Sequence, residues 1–184
     1  DGDGWLDMVV ANGNDIYRQP VVIYHNNGDG TFPAVPSWSS TDIDYHGHLD
    51  VGDINGDGLP DVAVAVYIGP AGFSEPGRAK VYLNNGNGNF TGQPSWSPAQ
   101  DFYCFSVALG DADGDGDLDL VAGNVNQRNR LYLNNGTVNP FNGVSGSDIS
   151  ADAHDTISLA LGDVDGDGDL DLVAGNLSQP NQLY

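Results

Sequence analysis

The nine residues 111–119, Asp-Ala-Asp-Gly-Asp-Gly-Asp-Leu-Asp, limit what this chain can fold into more than any other stretch. They return at 163–171 with one change, Val164 for Ala112, and more loosely at 53–61. A fourth copy opens the chain without its first position. The shared pattern, D-x-[DN]-x-D-G-x-x-D, sets side-chain oxygens at positions 1, 3, 5 and 9. So many carboxylates repel one another: at about 4 Å and an effective dielectric of about 20, one like-charged pair costs about 4 kcal/mol. A hard cation removes that cost, and Ca²⁺ accepts six to eight oxygens in irregular geometry. Glycine at position 6 permits the turn that returns position 9 to the ion. Position 7 varies, as suits a residue giving only its main-chain carbonyl.

The candidate calcium ligands follow from this register. They are Asp1, Asp3, Trp5 and Asp7; Asp53, Asn55, Asp57, Leu59 and Asp61; Asp111, Asp113, Asp115, Asp117 and Asp119; and Asp163, Asp165, Asp167, Asp169 and Asp171. Three sites are complete and one is partial, and the partial site at Asp1 is expected to bind most weakly. A single acidic turn would pass as a solvated loop; four in register argue for the metal.

An EF-hand shares the first six positions but needs a Glu at position 12 and a helix on each side. Position 12 here is Val10, Val64, Ala122 and Ala174. The flanks, Val-Ala-Leu-Gly before and Leu-Val-Ala-Gly after, are short apolar runs that read as strands. The acidic loop therefore joins two strands.

The chain has 184 residues, with 5 Lys plus Arg against 26 Asp plus Glu and a net charge of −21. Phosphate recognition needs a basic face, so nucleic acid is not an expected partner, nor is an anionic membrane surface. No run approaches the 18 apolar residues of a membrane span. The only cysteine, Cys104, is expected as a buried thiol. The sequence opens inside a motif, from which we expect a segment of a longer precursor.

Aligned on position 9, the copies stand 54, 58 and 52 residues apart. A period of this size suggests a propeller or another array. Each period carries the same four pieces, strands A to D, and no helix is expected. Strand A covers 47–52, 105–110 and 157–162; strand B covers 6–11, 61–66, 118–122 and 170–174. Strand C covers 21–25, 79–83, 130–133 and 182–184. An Asn-Asn-Gly segment follows, a hairpin signal because both residue types accept positive φ. Strand D is expected to be short and to carry Phe32, Phe90 or Phe141, with a Pro/Ser-rich link after it holding Trp38 and Trp96. The expected fold is thus all-β: propeller blades of four antiparallel strands, about 3.5 of them, with the calcium loop between the first and second strand. The whole of 1–184 reads as one propeller segment, with repeats at about 1–44, 45–102, 103–154 and 155–184. Since such blades stack to bury their faces, the missing strands are expected from flanking sequence or a partner chain.

The residues Val107-Ala108-Leu109-Gly110-Asp111, the acidic loop, Leu120-Val121-Ala122-Gly123-Asn124 and Leu131-Tyr132-Leu133-Asn134-Asn135-Gly136 resemble the FG-GAP (VCBS-type) repeats of integrin α-subunit propellers and of many secreted bacterial proteins. Repeat two departs from the pattern at Asn55, Pro60, Ala65-Val66 and His46-Gly47-His48. The resemblance implies a calcium-bearing propeller outside the cell, serving adhesion, ligand or glycan recognition, or acting as an accessory module.

Two other sets of residues stand out. His46, His48 and Asp50 alternate, so they are expected on one face of strand A, where they would suit a transition metal. Their counterparts, Cys104, Ser106, Ala108 and Thr156, Ser158, Ala160, form no such set, which favours a polar strand near the axis. Trp38, Trp96, Tyr17, Tyr67 and Tyr103 could offer sugar-stacking faces, but the repeated Pro-Ser-Trp-Ser favours a wedge between blades. No Gly-x-Ser-x-Gly, phosphate loop or Cys–His pair occurs, so the chain reads as a non-catalytic binding module, the alternatives being a lectin-like or enzyme-associated accessory module or a purely structural repeat spacer.

Overall fold

The computed structural model describes residues 1–13, 17–66, 77–86 and 88–184. Among these residues there are strands and no helix. Four separate antiparallel sheets follow one another along the chain. The first holds β1 (Met8–Ala11), β2 (Gln19–Tyr24) and β3 (Trp38–Asp44). The second holds β4 (His46–Gly52), β5 (Asp61–Val66) and β6 (Ala79–Tyr82). The third is four-stranded, with β7 (Cys104–Gly110), β8 (Asp119–Asn124), β9 (Arg130–Tyr132) and β10 (Ser147–Asp148) in simple meander order. The fourth holds β11 (Thr156–Gly162), β12 (Asp171–Asn176) and β13 (Gln182–Leu183). This is the expected series of blades, and the three complete acidic loops each join the first strand of a sheet to the second.

The apolar runs at the centre of sheets two and three form strands that are covered on both faces. All six residues of β5 and all six of β8 are buried. One core layer lies between sheets two and three, where Ala63, Ala65 and Val81 meet Leu120, Ala122 and Tyr132. Another lies between sheets one and two, where Val21 meets Val62, Val64 and Tyr82. Small residues allow the sheets to approach. A Cβ on Gly110 would lie 2.7 Å from Leu161 Cδ1 on β11 and 2.9 Å from Leu170 Cδ1 in the loop before β12. The glycine of Val-Ala-Leu-Gly thus receives the next blade's loop leucine.

In sheets one and three, strand D is not where the sequence placed it. Its ladder in sheet one is β3, which pairs Trp38 with Ile23 and Asp44 with Gln19. In sheet three it is β10, pairing Ser147 with Leu131. In sheet two it shrinks to isolated bridges, Asn84 with Phe90, Val81 with Trp96 and Gly77 with Phe102, so that here Phe90 does pair as expected. The Asn-Asn-Gly segment opens a wider loop than a two-residue hairpin. Phe32 and Phe141 each adjoin a proline, Pro33 or Pro140, which cannot donate to a ladder. Phe141 is instead fully buried between sheets two and three, and Phe90 packs between sheets one and two.

The tryptophans of the former link are wedges. Trp38 donates from Nε1 to the Phe90 carbonyl (2.9 Å) and packs edge-on to Tyr82. Trp96 packs on Tyr132 and Phe141. Their rings join neighbouring blades, so they do not assemble a stacking surface with Tyr17 and Tyr103. Tyr67 lies outside the described residues.

Candidate metal centre

Each acidic loop is wound by its own side chains. In the loop between β7 and β8, the Asp111 carboxylate accepts from Gly114 N–H (2.8 Å) with one oxygen and from Gly116 N–H (2.9 Å) with the other. Asp115 N–H donates to Asp113 (3.3 Å), and Asp117 N–H donates to Asp115 (2.9 Å). Gly114 and Gly116 both take positive φ, +79° and +95°. The sequence pointed to the second of these glycines; the first, at position 4, is needed for the same left-handed turn. The result is a tight coil with carboxylates turned toward one point. Side-chain oxygens of Asp111, Asp113 and Asp115 lie within 4.8 Å of one another. In the loop between β11 and β12, side-chain oxygens of Asp163, Asp165 and Asp171 likewise lie within 4.8 Å of one another.

The loop between β4 and β5 repeats the winding with an amide in place of a carboxylate. Asp53 accepts from Asp57 N–H (3.0 Å) and Gly58 N–H (2.8 Å), and Asn55 Nδ2 donates to Asp57 (3.0 Å). In the opening copy, Asp3 N–H donates to Asp1 (3.0 Å) and Trp5 N–H to Asp3 (2.8 Å). Position 7 in all four copies donates its N–H to the position 5 carboxylate, whatever its side chain.

Position 9 has a second task that the motif did not reveal. Asp119 accepts from Ala112 N–H (2.8 Å) and Asn134 N–H (2.7 Å), one on each oxygen. Asp61 accepts likewise from Ile54 and Asn84, and Asp7 accepts from Asn26. The first asparagine of each Asn-Asn-Gly then closes the joint. Asn134 Nδ2 donates to the Leu118 and Ile54 carbonyls, Asn84 Nδ2 to that of Pro60, and Asn26 Nδ2 to that of Leu6. The only sequence signal for this joint was that the asparagine recurs in three repeats.

The field in these loops favours a cation. Burial pushes the Asp61 and Asp119 carboxyls up, and the charges of Asp57, or of Asp113 and Asp115, push them the same way. Their backbone N–H bonds pull them back only in part. A divalent ion reverses that balance. An all-oxygen donor set of carboxylates, asparagine and main-chain carbonyls fits Ca²⁺.

The His46, His48 and Asp50 set does not share a face. The β4–β5 register shifts between His46 and Leu49, and this bulge cancels the alternation. His46 turns to sheet one, with Nδ1 at 2.9 Å from the Gln19 carbonyl oxygen and Nε2 at 3.7 Å from Asp42. His48 and Asp50 turn to sheet three, where His48 Nδ1 meets Ser106 Oγ (3.2 Å) and Asp50 accepts from Leu109 N–H (2.9 Å). The same bulge occurs in β7 and β11.

A charged cluster that the sequence reading missed sits beside His46. Lys80 Nζ lies 2.6 Å from Asp42 and 2.9 Å from Asp44, and Tyr82 donates to Asp42 (2.9 Å). Lys80 is the chain's one lysine, and no motif marks it.

Similarity to known proteins agrees with this architecture. The FG-GAP-like repeat matches residues 1–64, 66–122 and 111–174, and the FG-GAP repeat matches 48–83. The chain is 38% identical over 78 residues to the phosphatidylinositol-glycan-specific phospholipase D of Rattus norvegicus, a match that takes in 40% of this chain and 9% of that protein. With three repeats matched in succession along blades of this form, the chain belongs to the FG-GAP-like repeat family, a propeller-type module.

Proposed function

We propose that the chain is an extracellular, calcium-stabilised and non-catalytic propeller module that serves adhesion or the recognition of a glycan or protein ligand. The observation that carries this reading is the convergence of carboxylates at the turn between the first and second strands, in Asp111, Asp113 and Asp115 and again in Asp163, Asp165 and Asp171. Ca²⁺ held there would tie the loop coil to the strands that position 9 already anchors. Exposed loops of this kind suit the weak affinities of extracellular modules, about 10⁻⁴–10⁻³ M. Among the described residues, no helix is long and apolar enough to cross a membrane.

The dispersal of His46, His48 and Asp50 supports a non-catalytic role, since no shared face brings them onto one substrate. The short match to a phospholipase D is read as a shared repeat. Incubating the chain with a glycosylphosphatidylinositol-anchored reporter tests this: no release is expected, and turnover would overturn the reading. Calcium titration calorimetry should find three sites and a weaker fourth; no heat of binding would overturn the calcium role.

Further blades, from flanking sequence or a partner chain, are part of the proposal. Val173 and Leu183, paired across β12 and β13, are both exposed, whereas the corresponding Ala63 and Val81 of sheet two are buried under sheet three. A monodisperse, compact monomer with a cooperative melt would show that the four sheets suffice alone.

A further inference from the structure

The two interblade tryptophans share a pose but differ at the indole N–H. Trp38 stands edge-on to Tyr82 (73°) and tilted on Phe90 (51°); Trp96 stands edge-on to Tyr132 (72°) and tilted on Phe141 (45°). Trp38 Nε1 donates to the Phe90 carbonyl (2.9 Å). Trp96 Nε1 finds no acceptor among the described residues and is not sealed from solvent. The cause lies in the loop after strand C. Phe141 follows Asn134 by seven residues, whereas Phe90 follows Asn84 by six. The longer loop winds into two turns, in which Asn142 N–H donates to the Asn139 carbonyl (3.0 Å) and Val144 N–H to the Phe141 carbonyl (3.1 Å). The acceptor that matches the Phe90 carbonyl is therefore already taken.

A pocket of about 280 Å³ opens at this place, between sheets two and three. Leu83 and Phe141 form its apolar side, and Ser95, Trp96, Asn139 and Asn142 its polar side. By its match to Trp38, the Trp96 N–H is directed at the segment around Phe141, which walls the pocket. Ser95 Oγ accepts from Leu83 N–H (3.1 Å), which leaves its own proton to donate. Asn139 and Asn142 are exposed, and their side-chain amides have no partner among the described residues. No lining residue is ionisable, in a chain whose net charge is −21.

We infer that this pocket binds a neutral sugar, one ring at a time. The inference rests on the glycan-recognition reading above and gives it a place on the molecule. Sugar hydroxyls both donate and accept, and so do a serine hydroxyl and two amides, with the indole N–H as one further donor. The C–H face of the sugar suits the apolar side. A charged ligand would find no counter-charge here. The volume lies just below the range of about 300–1,000 Å³ for drug-sized ligands, which limits the occupant to a single ring. The Trp96 ring remains a wedge, so the sugar meets its edge and not its face. Water alone is the competing account; it would satisfy the polar atoms and leave the apolar side unused.

The test follows the indole N–H resonances of the isotope-labelled chain in saturating Ca²⁺. The probes are the methyl glycosides of glucose, galactose, mannose and N-acetylglucosamine, each added to millimolar concentration. At least one probe is expected to move the Trp96 resonance and leave that of Trp38 in place. Trp96→Phe keeps the ring packing and should weaken that probe by about tenfold, through the loss of one hydrogen bond. Asn142→Ala should weaken it as well. Trp96→Phe should melt as the parent does, because the N–H it removes is unpaired. Trp38→Phe should melt lower, having lost its bond to Phe90, yet bind the probe as the parent does. No movement of the Trp96 resonance with any probe overturns the site. Sugar binding of equal strength in the parent, Trp96→Phe and Asn142→Ala also overturns it, and leaves the glycan reading standing with its site elsewhere. Calcium binding is read separately by calorimetry in the same samples.

Discussion

Lys80 Nζ on β6 stands 2.6 Å from Asp42 Oδ2 on β3, a contact that fastens the second blade to the first. The lysine side chain is 10% exposed and the aspartate 20%. Asp44 and the Tyr82 hydroxyl complete the cluster. Removing one partner of a buried pair leaves an uncompensated charge, which costs about 3–5 kcal/mol. Lys80→Ala should therefore lower the urea midpoint by the equivalent of about 3 kcal/mol. Lys80→Met combined with Asp42→Asn and Asp44→Asn should recover at least half, since the stranded carboxylates are gone. A single variant as stable as the parent would show that the pair does not hold the blades.

His46 makes this interface sensitive to pH. Burial lowers its pKa from 6.5, and the Lys80 charge lowers it further, against the raising effects of the Gln19 carbonyl, Asp42 and Asp44. The unfolded chain thus takes up a proton near 6.5 while the folded chain resists it. Stability should fall as pH drops from about 7 toward 5. Asp42 acts in a lower window. Burial raises it, but the hydrogen bond and charge of Lys80 outweigh that and depress it below 3.8. Its contribution is present above 3.8 and is lost as pH falls through the depressed value. His46→Gln should flatten the melting temperature between pH 5 and 7 and leave the acid limb below pH 4 in place.

The blades were legible in the sequence because their first two strands are apolar runs that bracket an unmistakable loop. Val-Ala-Leu-Gly at 107–110, Leu-Ala-Leu-Gly at 159–162 and the two copies of Leu-Val-Ala-Gly place β7, β8, β11 and β12 to within two residues. Strand D was not legible. In sheet three its aromatic residue and its ladder are separate: Phe141 fills the core, and the pairing comes later, at Ser147 and Asp148. The bulge in β4 was equally hidden, because one extra residue leaves no compositional mark, and it sends His46 and His48 to different neighbours. The candidate ligands of the acidic loops were visible as a motif; the staple between Asp119 and Asn134 depends on contacts 15 residues apart.

That staple separates two roles of one motif. Asp119 bonds two backbone donors, whereas Asp113 is bonded only within its loop. Asp119→Asn replaces one accepting oxygen with an amide that faces an N–H, and leaving a buried donor unpaired costs about 1–3 kcal/mol. It should destabilise the chain even in chelator. Asp113→Asn should change stability only when Ca²⁺ is present. Denaturation with and without chelator distinguishes the two, and equal effects for both variants would remove the assigned division.

Gly110 should tolerate no side chain beyond its hydrogen. A Cβ there meets Leu161 and Leu170 at less than 3 Å. Overpacking of this kind costs about 1–3 kcal/mol. Gly110→Val is expected to fall in that range by chemical denaturation, and an unchanged midpoint would mean the third and fourth blades are not packed as described.

The most direct test of a calcium-stabilised blade array is a pair of thermal melts, one in saturating Ca²⁺ and one in EDTA. With the ion about 100-fold above Kd, each site adds about 2.7 kcal/mol to the folded state. The account predicts a melting temperature in Ca²⁺ well above that in EDTA, rising further with calcium concentration. Two melts that superimpose would contradict it.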